Sequence, residues 1–483
     1  MTRLIFRTLL LGAFFFVSLA ARLYAQGSFI YVKNGLYNSN QIVSGYAVAA
    51  NGMLTEIPGS PFPAGGQASG VAGAMENLVV APVGNFLYVP NGRSGTVTVF
   101  SINPQTGFLT PAPGSPFPIG IPVTFGIRLA VTGDNRFLYA AEPSMGKIIA
   151  FRVAADGSLT RVPGSPFFTP YDCAMAVSPD GRFLFAVSVG TRLLSVYRIG
   201  ADGGLTLVQG SQFQPGDPNR GDPSTPVVNC AGNRLFIGER AYLLTRVEVW
   251  NIAANGLLTS VPGSVFEFFG GSNAQEMILS PDERHLFIGN DNARLTVLNV
   301  ATNGSLSQAP GSPFYVGIST NEDRSPLDLT TNQDGTLLFV VNADQTIGVF
   351  RVGADGVLSE IPGSPFLGRS SGMAIAAYPP KHCGPSYDTC LQDDSNGNLL
   401  QINSTTGEYR FSNCRGVVIA GTGSLTRKGS RLTLQHTASN LRLLANLDTS
   451  TNRATASVQS LTSGTTFTIT DRDTTNNSCA CSN

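Results

Sequence analysis

Histidine and tryptophan are scarce in this chain: 483 residues contain three histidines and a single tryptophan. Charged residues make up only 13%, and the 31 basic side chains balance the 31 acidic ones. A chain with no net charge has no global field to draw it onto nucleic acid or an anionic membrane. Also missing are Gly-x-Ser-x-Gly, a phosphate-binding Gly-x-x-x-x-Gly-Lys and His-Glu-x-x-His, which removes the simplest serine-hydrolase, nucleotide and zinc-peptidase readings. No apolar run after the N-terminus approaches the length needed to span a bilayer. The low charge is not a sign of disorder, because 42% of the residues are hydrophobic. With 54 glycines and 30 prolines among many Val, Thr, Phe and Ile residues, the composition predicts short strands joined by tight turns and excludes helical bundles.

The N-terminus has the form of an export signal. Arg3 and Arg7 precede the apolar run Leu9–Leu19, and small residues follow at Ala20, Ala21 and Ala25. That run is too short for a membrane span. The expectation is cleavage after Ala25, with Ala21 as the alternative, and a secreted, periplasmic or cell-surface product with no membrane span.

The fold is written in a repeat. Leu-Thr-x-x-Pro-Gly-Ser-Pro-Phe recurs with its glycine at Gly59, Gly114, Gly164, Gly210, Gly263, Gly311 and Gly363, at spacings of 46 to 55 residues. Each period carries four strand-like runs; in the third full unit these are Ala174–Ser178, Phe183–Val187, Leu193–Ile199 and Leu205–Val208. Four antiparallel strands repeated radially form a propeller blade. Seven phrases therefore predict an all-β, seven-bladed β-propeller over residues 28–380. The first unit opens at Phe29-Ile30-Tyr31-Val32, which matches a second strand, and Met373–Tyr378 is an extra first-strand copy. The two ends are expected to share one blade and so close the ring. Phe62, Phe117, Phe167, Phe213, Phe266, Phe314 and Phe366 are expected to wedge between blades.

Residues 383–483 lose the period and read as a small all-β domain, a sandwich or small barrel. Five of the seven cysteines lie there: Cys383, Cys390, Cys414, Cys479 and Cys481. In an exported chain they are disulfide candidates, with at most two bridges and one thiol left over. Cys173 and Cys230, at opposite ends of adjacent first strands, are read as buried thiols. Asp393-Asp394-Ser395-Asn396-Gly397-Asn398 reads as a hairpin turn rather than a calcium loop, so no metal and no cofactor are expected.

FLYVPNGRSGTVTVF (86–100) followed by LTPAPGSPFP (109–118) resembles the lactonase-type seven-bladed propellers, which include the 6-phosphogluconolactonase-like family. The resemblance implies a ligand site at the mouth of the propeller axis, built there from polar residues including a histidine and arginines. Aligned by their turns, the units place Asn77, Arg128, Ala174, Thr225, Glu276, Asp328 and Ala374 at the start of the first strands, with Glu76, Asp172 and Gln275 adjoining. A second ring, Asn34, Asn91, Glu142, Ser188, Glu239, Asn290 and Asn342, follows the second strands and suits turn chemistry. Arg, Glu and Asp near a closed axis are the more informative set. No histidine stands there: His285 falls inside a second strand, His382 at the domain junction and His436 in the last domain, while Tyr171-Asp172-Cys173 occupies the place a family histidine would take. The expectation is a monomeric, non-catalytic binding protein whose mouth takes a protein loop, peptide or neutral sugar. A lactone hydrolase is the alternative.

Overall fold

The computed structural model describes residues 27–381 apart from the loop segments 36–38, 70–75, 122, 124–125, 170–172, 189–190, 213, 216–221, 242–243, 272, 317–324 and 370–371, together with strand backbones between 389 and 473. The export signal, Tyr171, Asp172, Phe213, His382, Cys383, Cys414, Cys479, Cys481 and Asp393–Gly397 lie outside the described residues, as do the side chains of Cys173, Cys390 and His436. Among the described residues the structure is all β apart from one 3-10 turn at Pro143–Met145, and no helix is long and apolar enough to cross a membrane.

Seven antiparallel sheets form the propeller. We number the blades I to VII in chain order of their second strands, which are Phe29–Asn34, Phe86–Asn91, Phe137–Glu142, Phe183–Ser188, Arg234–Ala241, His285–Asn290 and Leu337–Asn342. The innermost strands of blades II to VII are Val79–Val80, Arg128–Val131, Cys173–Val177, Asp222–Val228, Ala274–Leu279 and Pro326–Thr331. Blade I takes its innermost strand from the far end of the propeller sequence: Gly372–Tyr378 pairs antiparallel with Phe29–Asn34, in the register Phe29↔Tyr378 and Val32↔Ile375. The ring closes as the sequence predicts.

Seven apolar clusters fill the seven joints between blades. Tyr31 and Phe62 of blade I meet Leu87 and Phe100 of blade II. At the closing joint Phe339 and Val349 of blade VII meet Ile30 and Ile375 of blade I. Phe117, Phe167, Phe266, Phe314 and Phe366 each pack against such a cluster, which is the wedging role expected of them.

The repeated phrase does more than turn the chain. In six blades its Phe opens a short fifth strand that pairs with the third strand beside the outer one, as Phe167 does with Ile148. The third strand thus changes partners midway, and its N–H at the break would be unpaired. The phrase serine fills that gap: Ser60, Ser115, Ser165, Ser211, Ser264, Ser312 and Ser364 accept hydrogen bonds from the N–H groups of Gly45, Val99, Ala150, Val196, Val249, Val297 and Val349, at 2.8–3.2 Å. Its glycine sits at positive φ in all seven copies, from 75° to 88°.

Beyond the propeller, strands Thr389–Gln392, Asn398–Ile402, Glu408–Asn413 and Gly416–Thr422 make one sheet, and five strands from Ser424–Lys428 to Thr466–Asp473 make another. Cys230, read as a buried thiol, is instead half-buried and disulfide-bonded.

Candidate functional site

Register places the starts of the innermost strands and the ends of the second strands at the same end of the ring, as in Arg128↔Ala141 and Asp222↔Arg240. Most of the second ring is bonded within its own blade, partly in turns and partly across to the third strand. Asn34 accepts from Ser44 Oγ at 2.8 Å; Asn91 donates to Thr98 Oγ1 at 2.8 Å; Asn290 accepts from Thr296 Oγ1 at 2.8 Å; Asn342 donates to Thr346 Oγ1 at 3.0 Å. Ser188 accepts from Thr191 N at 3.1 Å. Glu142 caps the 3-10 turn, accepting from Ser144 Oγ at 2.6 Å and Met145 N at 2.7 Å. Glu239 departs from this pattern and is taken up below.

The first ring separates into two groups. On one side of the axis, Glu76 is sealed in an ion pair with Lys33 of blade I, both side chains 0% exposed, and also accepts from Ile127 N at 3.3 Å. The carboxylate lies where a Cβ on Gly92 would project, so only glycine fits there. Asn77 clasps the innermost strand of blade III, accepting from Leu129 N at 2.8 Å and donating to Leu129 O at 2.9 Å. These residues fasten blades I, II and III together. Lys33 was not singled out from the sequence. The signal was available: the equivalent positions of the other units hold Pro90, Ala141, Val187, Gly238, Gly289 and Val341.

On the other side, four blades converge. Arg128 of blade III points Nη2 at Glu276 Oε2 of blade VI, 3.7 Å away, and Nη1 at Thr225 Oγ1 of blade V, 3.5 Å away. Thr225 Oγ1 donates to Glu276 Oε2 at 2.8 Å. Asp328 of blade VII accepts from Leu329 N at 2.8 Å and Ile375 N at 2.9 Å. Burial raises the Glu276 carboxyl above its ordinary value, against the pull of Arg128, the Thr225 hydrogen bond and Arg240. Asp328 is driven up well above its ordinary value, by burial first and then by the Glu276 charge. Two close carboxyls cannot both ionise easily in so dry a place. The cluster therefore combines a fixed cation, a hydroxyl and a carboxyl of raised basicity facing one axis. Arg240, whose charge reaches Glu276, escaped the sequence reading because its strand runs past the ring position held by Glu239.

His285 begins its strand at the end away from the mouth, buried, with Nδ1 3.0 Å from Asn299 Oδ1. No histidine among the described residues joins the mouth. Nor do the described residues hold a group of three or more His, Cys, Asp or Glu able to bind a metal. A cleft of about 380 Å³ opens at the opposite end between blades V and VI, lined by Arg234, Asp282, Glu283 and Thr302 among others. Its charged groups are committed to structure: Arg234 to Asn251 and Thr302 O, Glu283 to Lys381 and Cys230 N.

A closed seven-bladed ring with a polar axial mouth defines a class of propellers, and the family can be stated. The family model for the lactonase, seven-bladed β-propeller, matches residues 125–220 and 174–370, together more than half of the chain. The chain belongs to that family. Among solved structures it is similar to a putative 6-phosphogluconolactonase from Bacteroides uniformis, at 16% identity and a TM-score of 0.57 over 73% of this chain and 99% of that one. It is similar too to a periplasmic gluconolactonase from Pseudomonas aeruginosa, at 20% identity and a TM-score of 0.56 over 73% and 99%. No curated protein matches the sequence.

Proposed function

We propose that the chain is a lactone hydrolase acting at the Arg128–Glu276 mouth. This reverses the preference for a non-catalytic binder drawn from the missing histidine. Membership of the lactonase family supports the reversal, and the observation that carries it is the convergence of Arg128, Thr225, Glu276 and Asp328 from four blades. Hydrolysis needs a base to take a proton from water and a positive group where the carbonyl oxygen gains charge. Glu276, made more basic by burial, is the base. Arg128 faces the developing oxyanion. Water attacks the lactone carbonyl carbon, the ring C–O bond breaks, and the proton held by Glu276 passes to the departing ring oxygen. The product is a hydroxy acid. The Glu276 charge in turn raises Asp328, which holds its proton and leaves the negative charge to Glu276. Arg128 already answers Glu276 and is not free to hold a phosphate, so the proposed substrate is an unphosphorylated sugar lactone. Export follows the same reading: Arg3, Arg7 and the apolar run after them form a signal, and a solved structure of the same fold is named as periplasmic.

The test is acid release from glucono-δ-lactone at constant pH, against the spontaneous rate. Glu276→Gln and Arg128→Met should each cut the catalysed rate by about 10²–10³; Glu276→Gln should do so with the melting temperature kept within a few degrees, whereas Arg128→Met, which leaves Glu276 without its cation, should also lower it. If the wild type does no better than buffer, yet calorimetry shows the mouth binding a neutral sugar or peptide, the binding reading is restored.

A further inference from the structure

At the mouth end of blades I, II and VI, the polar residue ending the second strand is tied to a hydroxyl on the third: Asn34 to Ser44, Asn91 to Thr98, Asn290 to Thr296. In blade V the same two places hold Glu239 and Glu248. The third strand, Leu244–Ile252, pairs with the second in the register Glu239↔Arg246 and Ile237↔Glu248, so all four side chains share one face. Glu239 and Glu248 are buried, at 2% and 1% exposure. Neither oxygen of Glu239, nor Oε1 of Glu248, accepts a hydrogen bond from the N–H and O–H donors of the described residues. Oε2 of Glu248 accepts from Trp250 Nε1 at 3.0 Å. Among the described residues the one cation on this face is Arg246, 3.5 Å from Glu239 Oε2, and it is shared with the partly exposed Glu267 at 2.6 Å. The facing surface of blade IV is apolar: Phe183, Phe185, Val187, Leu194 and Val196. On the mouth side Asp222 is paired with Arg192 at 3.6 Å, while Arg240 alternates to the opposite face of its strand.

Neutral Asn–hydroxyl pairs serve the fold at this position elsewhere, so the fold does not demand two carboxyls. One arginine can balance one of them. The other must carry a proton, because two adjacent buried carboxylates without further donors would repel. We propose that Glu239 and Glu248 share a single buried proton, and that losing it loosens the joint between blades IV and V beside the mouth. Burial and the neighbouring Glu239 carboxyl push Glu248 up to about 8, so the proton is held at neutral pH and released in mild alkali. A second negative charge then sits against an apolar surface, and relief requires water to enter the joint.

Trp250 is the only tryptophan in the chain, and its indole donates directly to Glu248, so its fluorescence reads this site without interference. Full-length protein is titrated from about pH 6 to about pH 10, with tryptophan excited selectively, and amide exchange is followed over residues 234–252. The expected result is one reversible fluorescence transition with exchange of these strands rising at least several-fold across it. Glu248→Gln, isosteric and able to donate to Glu239, should abolish both. Glu239→Gln should shift the transition down by about one to two pH units, because the neighbouring charge is gone. A flat fluorescence profile, or a transition that survives in Glu248→Gln, overturns the shared proton. A transition without faster exchange overturns the loosening.

Discussion

Lys33 and Glu76 offer the sharpest test of how this propeller is held together. Lys33 lies on the strand that also pairs with Gly372–Tyr378, the last strand of the propeller, and Glu76 precedes the innermost strand of blade II, so one ion pair joins the closing blade to its neighbour. Both side chains are wholly buried. Replacing Lys33 by Met keeps the volume and strands a carboxylate whose other contact is the N–H of Ile127. Removing one partner of such a pair costs about 3–5 kcal/mol, against a net stability of about 5–15 kcal/mol for a typical domain. Lys33→Met should therefore lower the urea midpoint by a large fraction of its value. The double variant Lys33→Met with Glu76→Met removes both charges, and apolar replacement of a whole buried pair is about neutral. It should recover most of the loss. Urea unfolding of the two variants with the wild type decides the matter. A double variant as unstable as the single one would refute the electrostatic account and leave packing shape as the cause.

Two further outcomes are expected. Ser264→Ala leaves Val249 N without its acceptor and should cost about 1 kcal/mol; combined with Ser115→Ala in a distant blade the losses should add to within a few tenths, as read from denaturant midpoints. Ending the chain before Gly372 removes the strand paired with Phe29–Asn34 and should give an aggregating propeller by light scattering, whereas ending it after Lys381 should leave a folded one; equal melting of the two would contradict the shared blade.

The ring was legible because its information is repeated. The phrase glycine appears seven times and the apolar runs recur with it, so blade number and the shared closing blade follow from counting copies and noting which strand is missing. The phrase serine was equally visible, standing in all seven copies, but its task depends on where the third strand changes partners, and pattern alone does not show a strand splitting its hydrogen bonds between two neighbours. Ring positions were also readable, because turns fix register: Arg128, Thr225, Glu276 and Asp328 were placed at the start of innermost strands and do meet. What spacing could not supply was direction around the axis. Glu76 and Asn77 occupy the same ring and turn instead to Lys33 and Leu129, becoming fasteners.

The same comparison of unit with unit explains why departures from the repeat carry the chemistry. A propeller blade needs an apolar face on each side and a neutral polar stitch at its mouth end, and most units supply them in the same residue types. Lys33, Arg128, Glu276, Asp328 and the Glu239–Glu248 pair are charged where sister units are mostly small, apolar or amide-bearing. Burying each charge is unfavourable unless it is paired; Glu239 finds its cation, Arg246, within blade V, but Lys33 and Arg128 find their partners across blades. Arg128 reaches from blade III to blade VI, and Lys33 from blade I to the start of blade II. Charges that answer one another across an axis are set only when the ring is complete. The mouth is therefore assembled by closure itself, and a variant that opens the blade shared by Phe29–Asn34 and Gly372–Tyr378 should lose the site before the individual blades lose their strands. Asp328 makes the dependence direct, since one of its two backbone donors, Ile375 N, is on the closing strand.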